Sequence, residues 1–256
     1  LYHRLIRIQR PGSLFARDDA ILYEMSMETE AQKMPYFKYQ GKSVFYAEYG
    51  RGTPVLFLHG NTSSSKMLEP LMPLYTGQFR CILIDFLGNG RSDRVECFSS
   101  DIWYEEGLQA IALAEHLPYG KTFLVGTSGG VWAAIHAALE RPDLFRAVIA
   151  DSFDGRTLHD HFADHLQAER SAAKADPRSR AFYAWCQGPD WETIVDLDTA
   201  ALLQLAEEKR YLFHKPLAQI RIPLLLMGSR RDEMCRKNLE EEYQQMAAHI
   251  PRATIQ

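Results

Sequence analysis

The chain lacks the sequence features of several protein classes. No apolar run approaches the length of a membrane-spanning helix, and the formal net charge of −4 argues against a nucleic-acid-binding surface. Three arginines interrupt the first ten residues too often for the apolar core of a signal peptide. A reducing, cytoplasmic setting is therefore the expectation.

Cysteine is scarce and irregularly spaced. No C-x-x-C pair occurs, so neither a zinc site nor a disulfide framework is indicated. The four cysteines are Cys81, Cys97, Cys186 and Cys235. What remains is ordinary globular composition: 256 residues, 46% of them hydrophobic, suffice for one large α/β domain or a core domain with an insertion.

The hydrophobic pattern predicts a mostly parallel sheet with flanking helices. Residues 34–60 contain two alternating segments and then a solidly apolar one, which indicates a hairpin followed by a buried strand. A helix is predicted around residues 67–75. Further buried strands are predicted at residues 79–85, 123–125, 147–150 and 223–227. Helical segments separate these strands, as parallel connections require.

The pattern also divides the chain into regions. Residues 153–220 are polar and helix-favouring with no convincing strand, which predicts an inserted helical cap. Residues 34–152 and 221–256 then form the α/β core. Residues 1–33 are an N-terminal extension of unknown role, basic at first and acidic later.

The most informative local pattern is G-x-S-x-G at residues 126–130, between a short apolar strand and an alanine-rich helix. A turn this sharp strains the backbone of the central serine, Ser128, and requires neighbours with little side chain. It projects the hydroxyl above the sheet and leaves the Gly129 amide free to donate to an oxyanion. The alternative is a glycine-rich turn that binds phosphate or nothing, but G-x-G-x-x-G and the P-loop lysine are both absent.

Other candidate residues follow the predicted strands. After the third strand, the Asn61 amide is a candidate for the second oxyanion donor, whereas His59 is expected to be structural. Asp232 follows a late strand and is the candidate acid that orients a histidine, with helix capping as its alternative role. The competing acids are Asp151 and Asp154.

Two further segments are weaker candidates. The loop at residues 85–93 is glycine-rich and is interpreted as a scaffold loop, in which Asp85 and Asp93 tie backbone amides. His161 and His165 are one helical turn apart, which suggests a metal site. Because no third ligand can be named, a solvated or pocket-rim helix is favoured instead.

Together these motifs resemble the α/β-hydrolase family: HGN at residues 59–61, DFLGNGRSD at 85–93, GTSGG at 126–130 and GSRRD at 228–232, in the family's chain order. The resemblance implies Ser128 as nucleophile, Asp232 as acid, and the amides of Gly129 and Asn61 as the oxyanion hole. It implies no metal or organic cofactor.

One part of the family pattern is missing. Members place the catalytic histidine in a loop after the last core strand, but no histidine follows residues 253–256. His249 falls inside a predicted amphipathic helix, which is the wrong place for the base. The last core strand and its following helix are therefore expected to be missing from this chain, with the histidine beyond Gln256. A pseudo-enzyme is the competing explanation.

The expected function is hydrolysis of a small carboxylic ester or related acyl substrate through an acyl-enzyme on Ser128. Two alternatives remain open. One is hydrolysis of a carbon–carbon bond beside a ketone on the same framework. The other is a non-catalytic protein that binds a small molecule beneath its cap. The expected partner is a small molecule in all three cases.

Overall fold

An eight-stranded sheet forms the centre of the computed structural model, which describes residues 35–232 and 234–256. Its strands are β1 (Tyr36–Tyr39), β2 (Lys42–Tyr49), β3 (Thr53–Leu58), β4 (Phe79–Asp85), β5 (Thr122–Thr127), β6 (Phe145–Asp151), β7 (Leu224–Met227) and β8 (Ala253–Ile255). Their order is β1-β2-β4-β3-β5-β6-β7-β8. β2 pairs antiparallel with β1 and β4, and the other five pairings of the described strands are parallel, so the predicted mostly parallel sheet with an initial hairpin is confirmed.

The central strands are apolar throughout because both faces of the sheet are covered. In β3, Leu56 and Leu58 pack into the larger hydrophobic cluster, whereas Val55 and Phe57 pack into a second cluster on the other face. A strand buried on both sides shows no polar alternation, which is the pattern that the sequence presents here.

The strand order positions the site. Chain order reverses at β3, which lies between β4 and β5, and such a switch point opens a crevice at the carboxyl ends of the strands. The register pairs Leu58 with Gly126, and Asp151 with both Thr127 and Met227. The loops after β3, β5, β6 and β7 therefore leave the sheet side by side.

Three helices flank the sheet: α1 (Ile102–His116), α2 (Gly129–Glu140) and α6 (Leu239–His249). The predicted helix at residues 67–75 is corrected to two short 3-10 segments, Ser65–Met67 and Glu69–Leu74. Two prolines explain the difference. Pro70 lies at the start of the second segment and Pro73 inside it, and neither supplies the amide hydrogen that an α-helix needs.

The described residues between 153 and 220 contain helices and no strand, in agreement with the expected cap. They form α3 (Phe162–Ala175), α4 (Pro177–Gln187) and α5 (Trp191–Glu208), besides a short 3-10 turn. The division of the chain into domains stays a prediction, and the N-terminal extension lies outside the described residues. Among the helices of the described ranges, none is long and apolar enough to cross a bilayer.

The described residues end on a short strand. β8 pairs in parallel with residues 224–226 of β7, and the Gln256 amide donates to the Leu226 carbonyl at 2.9 Å. The apolar signal of β8 in the sequence is weak, because the strand has three residues and only Ala253 is partly buried. The expectation that the last core strand and its following helix are missing from this chain stays a prediction.

Candidate active site

The backbone of Ser128 has the strained geometry expected of a nucleophile elbow. Its φ is 53° and its ψ is −125°, between the end of β5 and the start of α2. Two backbone hydrogen bonds hold this conformation: the Ser128 amide donates to the Asp151 carbonyl, and the Val131 amide donates to the Ser128 carbonyl, each at 3.0 Å. Residues other than glycine rarely adopt a positive φ, so the surrounding structure must hold Ser128 in this conformation.

The glycines of the elbow are required by close contact. A Cβ built on Gly126 would lie 2.3 Å from the Gly130 carbonyl oxygen, and one built on Gly130 would lie 2.4 Å from the Leu58 carbonyl oxygen. Helix α2 thus begins directly against the backbone of β5 and the end of β3. This packing leaves the Ser128 side chain exposed at the carboxyl edge of the sheet.

The two predicted oxyanion donors lie together beside Ser128. A Cβ built on Gly60 would be 2.9 Å from the Ser128 Cβ, and one built on Gly129 would be 2.0 Å from the Asn61 Oδ1. The loop after β3 therefore contacts both Ser128 and the start of α2. Within the described part of the chain, the amide hydrogens of Asn61 and Gly129 have no acceptor.

The Asn61 side chain connects three elements. Its Nδ2 donates to the Asp198 Oδ2 at 2.6 Å, and its Oδ1 accepts from the Trp103 Nε1 at 3.0 Å. Asp198 lies on cap helix α5 and also accepts from the Arg170 guanidinium at 3.2 Å. Burial raises the pKa of Asp198, against the opposing effects of Arg170 and Asn61.

A second buried carboxyl, Glu106, lies one helical turn after Trp103 on α1. It is 6% exposed. Burial raises its pKa well above the usual range, and the charge of Asp198 raises it further. The carboxyl is therefore protonated, and so uncharged, over a wider pH range than an exposed glutamate.

Sequence reasoning missed Asp198, Arg170, Trp103 and Glu106. The only sequence signal was an acidic residue on an otherwise apolar helical stripe. Asp198 falls on the buried face of α5 with Val195 and Leu202, and Glu106 falls on the buried face of α1. A carboxylate on such a face requires a partner, but the identity of that partner depends on the tertiary fold.

His59 has a structural role, as expected. The Phe86 amide donates to its Nε2 at 3.2 Å, so the ring hydrogen lies on Nδ1, which donates to the Gly60 carbonyl at 2.9 Å. Burial lowers the pKa of His59 and keeps the ring neutral. Both ring nitrogens are occupied, which leaves neither free to accept a proton from Ser128.

The scaffold interpretation of residues 85–93 is confirmed. The buried Asp85 carboxylate accepts from the amides of Ser65 and Arg91 at 2.7 and 2.8 Å, and Asp93 accepts from the Ser43 amide at 2.6 Å. These bonds tie the loop to β2 and to the segment after β3. Both carboxylate oxygens of Asp85 and one of Asp93 accept from backbone amides, in the manner expected of turn aspartates.

The three candidate acids lie around one thiol, that of Cys235. Burial raises the pKa of this thiol, and the charges of Asp232, Asp154 and Asp151 raise it further. Burial also raises the pKa of Asp151, and its neighbour Asp232 adds to that effect against a hydrogen bond from Ser152. The residues after β6 and β7 thus share one acidic corner.

Within that corner the three carboxylates differ in their partners. Asp232 is half-buried, accepts from the Met234 amide at 2.9 Å in a turn-capping bond, and shares a side-chain hydrogen bond with the Cys235 thiol. Asp154 is buried, accepts from the Arg236 amide at 2.8 Å and pairs closely with His159. Capping and orientation of a histidine are both compatible with the geometry of Asp232.

Two of the cap histidines, His159 and His165, contact each other, and His159 also contacts the carboxylate of Asp154. His159 pairs with Asp154 on one side, and its Nε2 lies 3.1 Å from the Nδ1 of His165. His161 is largely exposed and beside Asp164. In the ranges that the structure describes, no group of three or more His, Cys, Asp or Glu side chains is arranged to hold a metal ion.

No base contacts the nucleophile among the described residues. The Ser128 hydroxyl has no hydrogen-bond partner there. His249 is the last residue of α6, is exposed, and donates from its Nδ1 to the Gln245 carbonyl at 2.7 Å, as its position in a predicted helix had indicated. The described residues therefore combine an exposed serine at a strained turn, two amides without an acceptor and three candidate acids.

Comparison with known proteins identifies the family. Residues 53–185 match the model of the alpha/beta hydrolase fold, and the chain belongs to that family. The 2-(acetamidomethylene)succinate hydrolase of Mesorhizobium japonicum is 38% identical over 106 residues, which are 41% of this chain and 37% of that protein. Haloalkane dehalogenase 2 of Mycobacterium tuberculosis is 30% identical over 107 residues, again 41% and 37% of the two chains. The matched segment thus spans little more than a third of these relatives.

Solved structures extend the likeness of the fold to most of the chain. A hydrolase from Pseudomonas aeruginosa superposes with a TM-score of 0.66 and 17% identity, covering 89% of this chain and 90% of that one. A structure of E-2-(acetamidomethylene)succinate hydrolase gives a TM-score of 0.64 and 22% identity, covering 86% and 89%. These similarities show the architecture alone.

Proposed function

We propose that the protein is a serine hydrolase that cleaves a small carboxylic ester or related acyl substrate through an acyl-enzyme on Ser128. The observation that carries the proposal is the elbow itself. A serine with a φ of 53° lies exposed beside two amides that have no acceptor in the described part of the chain. An acyl carbonyl above Ser128 would find a nucleophile on one side and donors for its oxygen on the other.

The proposed reaction follows from these roles. A base removes the proton of Ser128, whose Oγ attacks the carbonyl carbon, while the oxyanion accepts from the amides of Asn61 and Gly129. The base then protonates the leaving alcohol. Water, activated by the same base, attacks the acyl-enzyme and releases the carboxylic acid and the free serine.

Asp232 is the proposed acid, with Asp151 and Asp154 as the competing candidates. Its support is its half-buried position after β7, with a carboxylate that accepts from the Met234 amide. The proposed base is a histidine from outside the described residues, beyond Gln256. The pairing of Gln256 with β7 supports this, because the backbone there reaches Gly228, at the start of the Asp232 loop.

The nucleophile favours acyl transfer over dehalogenation, although dehalogenases are among the relatives. Displacement of a halide by Ser128 would leave an alkyl ether on the serine, which water does not cleave. An acyl ester on the same atom is hydrolysed readily. A small-molecule acyl substrate is therefore proposed.

A reducing, cytoplasmic setting is also proposed, and the four free thiols support it.

Cleavage of a carbon–carbon bond beside a ketone is the second candidate. It uses the same serine framework, and a meta-cleavage product hydrolase superposes on the chain with a TM-score of 0.66 at 20% identity. That likeness concerns the fold alone. The two candidates differ in whether the leaving group departs as an alcohol or as a carbanion that must be protonated.

A substrate panel separates the candidates. The full-length protein is assayed with p-nitrophenyl acetate and butyrate and with vinylogous diketones, beside Ser128→Ala. Turnover of the esters that falls at least about 10³-fold in the variant supports the esterase, since the nucleophile carries most of the rate. Turnover of the diketones alone supports the second candidate. A folded protein that binds one of these esters or diketones tightly but turns over neither substrate type would instead indicate the non-catalytic alternative.

A further inference from the structure

The side chain of Asn61 is held in one orientation by two partners of opposite character. Asp198 offers only acceptor oxygens, so it takes the Nδ2 hydrogens at 2.6 Å. The Trp103 indole offers only a donor, so it takes the Oδ1 at 3.0 Å. A flipped amide would bring donor against donor and acceptor against acceptor. The orientation is therefore determined by chemistry on both sides.

This orientation bears directly on the proposed oxyanion hole. The Asn61 Oδ1 lies so close to Gly129 that a Cβ there would approach it to 2.0 Å. The side chain thus covers the first residue of α2, while its own backbone amide is the other proposed donor. A shift of the Asn61 side chain would alter the spacing of both donors, and such donors act only when pre-positioned.

Asp198 reaches this place from the cap. It lies on the buried face of α5, is 3% exposed, and is braced by Arg170 of α3 at 3.2 Å. Arg170 itself is held by the Tyr183 hydroxyl of α4 at 3.3 Å. All three cap helices therefore contribute to the position of one carboxylate.

We propose that Asp198 is a positioning residue that fixes Asn61, and thereby makes the oxyanion hole dependent on the docked cap. The inference rests on the proposed function, which it deepens: the cap regulates the catalytic site besides covering it. If the cap moved away from the core, Asn61 would lose the Asp198 carboxylate that accepts from its Nδ2. The Asn61 side chain could then rotate, and the backbone amides of Asn61 and Gly129 would move apart. Binding of substrate beneath the cap would have the reverse effect.

The test compares two aspartates of the same helix. Asp198→Leu removes the acceptor of Asn61. The control, Asp196→Leu, removes an exposed carboxylate that also pairs with a cation of α3, Lys174, but does not touch Asn61. In Asp198→Leu, kcat on the best substrate of the panel is expected to fall about 10- to 100-fold, because the oxyanion donors are no longer held in position. KM is expected to stay within about twofold of the wild-type value. Asp196→Leu should leave both constants unchanged.

A spectroscopic measurement separates positioning from a purely structural role. The chain has four tryptophans, so four isotope-labelled indole signals are expected, and Trp103→Phe assigns one of them. The Trp103 indole signal should lose its hydrogen-bonded chemical shift in Asp198→Leu and keep it in Asp196→Leu. Asp198→Asn, which retains one acceptor oxygen shared between Asn61 and Arg170, should give an intermediate shift and covers the case in which the leucine variant does not fold.

The possible results separate the positioning role of Asp198 from the proposed function. An inactive wild-type protein whose Trp103 signal still responds to Asp198 would contradict the proposed function and leave the structural coupling standing. An active protein whose kcat and Trp103 signal are unaffected in the folded Asp198 variants overturns the positioning role. A rise in KM without a fall in kcat also overturns it, since that pattern marks a substrate contact.

Discussion

Ser128 combines an unfavourable backbone conformation with an exposed hydroxyl. Strain of this kind costs on the order of 1–3 kcal/mol in the folded state and persists only where the surroundings enforce it. The flanking glycines and the two backbone hydrogen bonds enforce it here. Strain at Ser128 is therefore expected to lower stability as well as to expose the nucleophile.

Replacing Ser128 by glycine or by alanine measures that strain. Ser128→Gly removes the Cβ that opposes a φ of 53°, whereas Ser128→Ala keeps it and serves as the matched control. After the greater chain entropy of unfolded glycine is allowed for, Ser128→Gly should be more stable than Ser128→Ala by about 1 kcal/mol. Urea unfolding of both variants gives the difference. Equal or reversed stabilities would show that the elbow is unstrained.

Local sequence could predict the residues that act through their own backbone turn. Ser128, Gly129 and Asn61 each belong to a short motif at a strand end, and the register brings those ends together. Asp198 could not be found in this way. It is 137 positions from Asn61, and only the packing of the cap on the core joins them.

At the scale of elements, the short apolar strands were predictable and the irregular pieces were not. Strand β4 has the bounds that the sequence predicts, because a short run of β-branched and aliphatic residues between turns is typical of a buried strand. The segment at residues 65–74 differs because two prolines favour 3-10 geometry over an α-helix. The sequence of β8 contains almost no apolar pattern of a strand, because β8 forms through its pairing with β7 rather than through burial of its own side chains.

Helix α2 contains a buried histidine that should make stability depend on pH. His136 donates from Nε2 to the Leu212 carbonyl at 2.9 Å, which ties the segment after the cap to the core. Burial and the nearby His214 lower its pKa to about 4, from 6.5. Between these values the unfolded chain binds a proton that the folded protein does not, so stability falls as the pH drops from about 6.5 towards 4.

The measurement compares wild type with His136→Gln, which keeps an amide donor for Leu212 but cannot titrate. The free energy of unfolding of wild type should fall by about 2 kcal/mol more than that of the variant between pH 7 and pH 5. Denaturant unfolding at the two pH values provides both numbers. A parallel loss in both proteins would mean that His136 titrates normally in the folded state.

At the scale of the whole molecule, the order of the strands explains why the site lies where it does. The reversal at β3 brings together residues from loops that are far apart in the chain, and the cap adds Asp198 from above. The family and the mostly parallel sheet could be predicted from four motifs in chain order. The hydrogen bond between Asn61 and Asp198 of the cap could not, since it depends on packing between elements that no motif encodes.

The central claim is that Ser128 is a nucleophile activated within this site. Treatment of the full-length protein with a fluorophosphonate probe tests it most directly, because the probe forms a bond only with an activated serine and places its oxygen in the oxyanion hole. Peptide mapping by mass spectrometry should find the adduct on Ser128 in wild type and no adduct in Ser128→Ala. A folded wild-type protein that stays unlabelled at Ser128, or that is labelled only elsewhere, would contradict the claim.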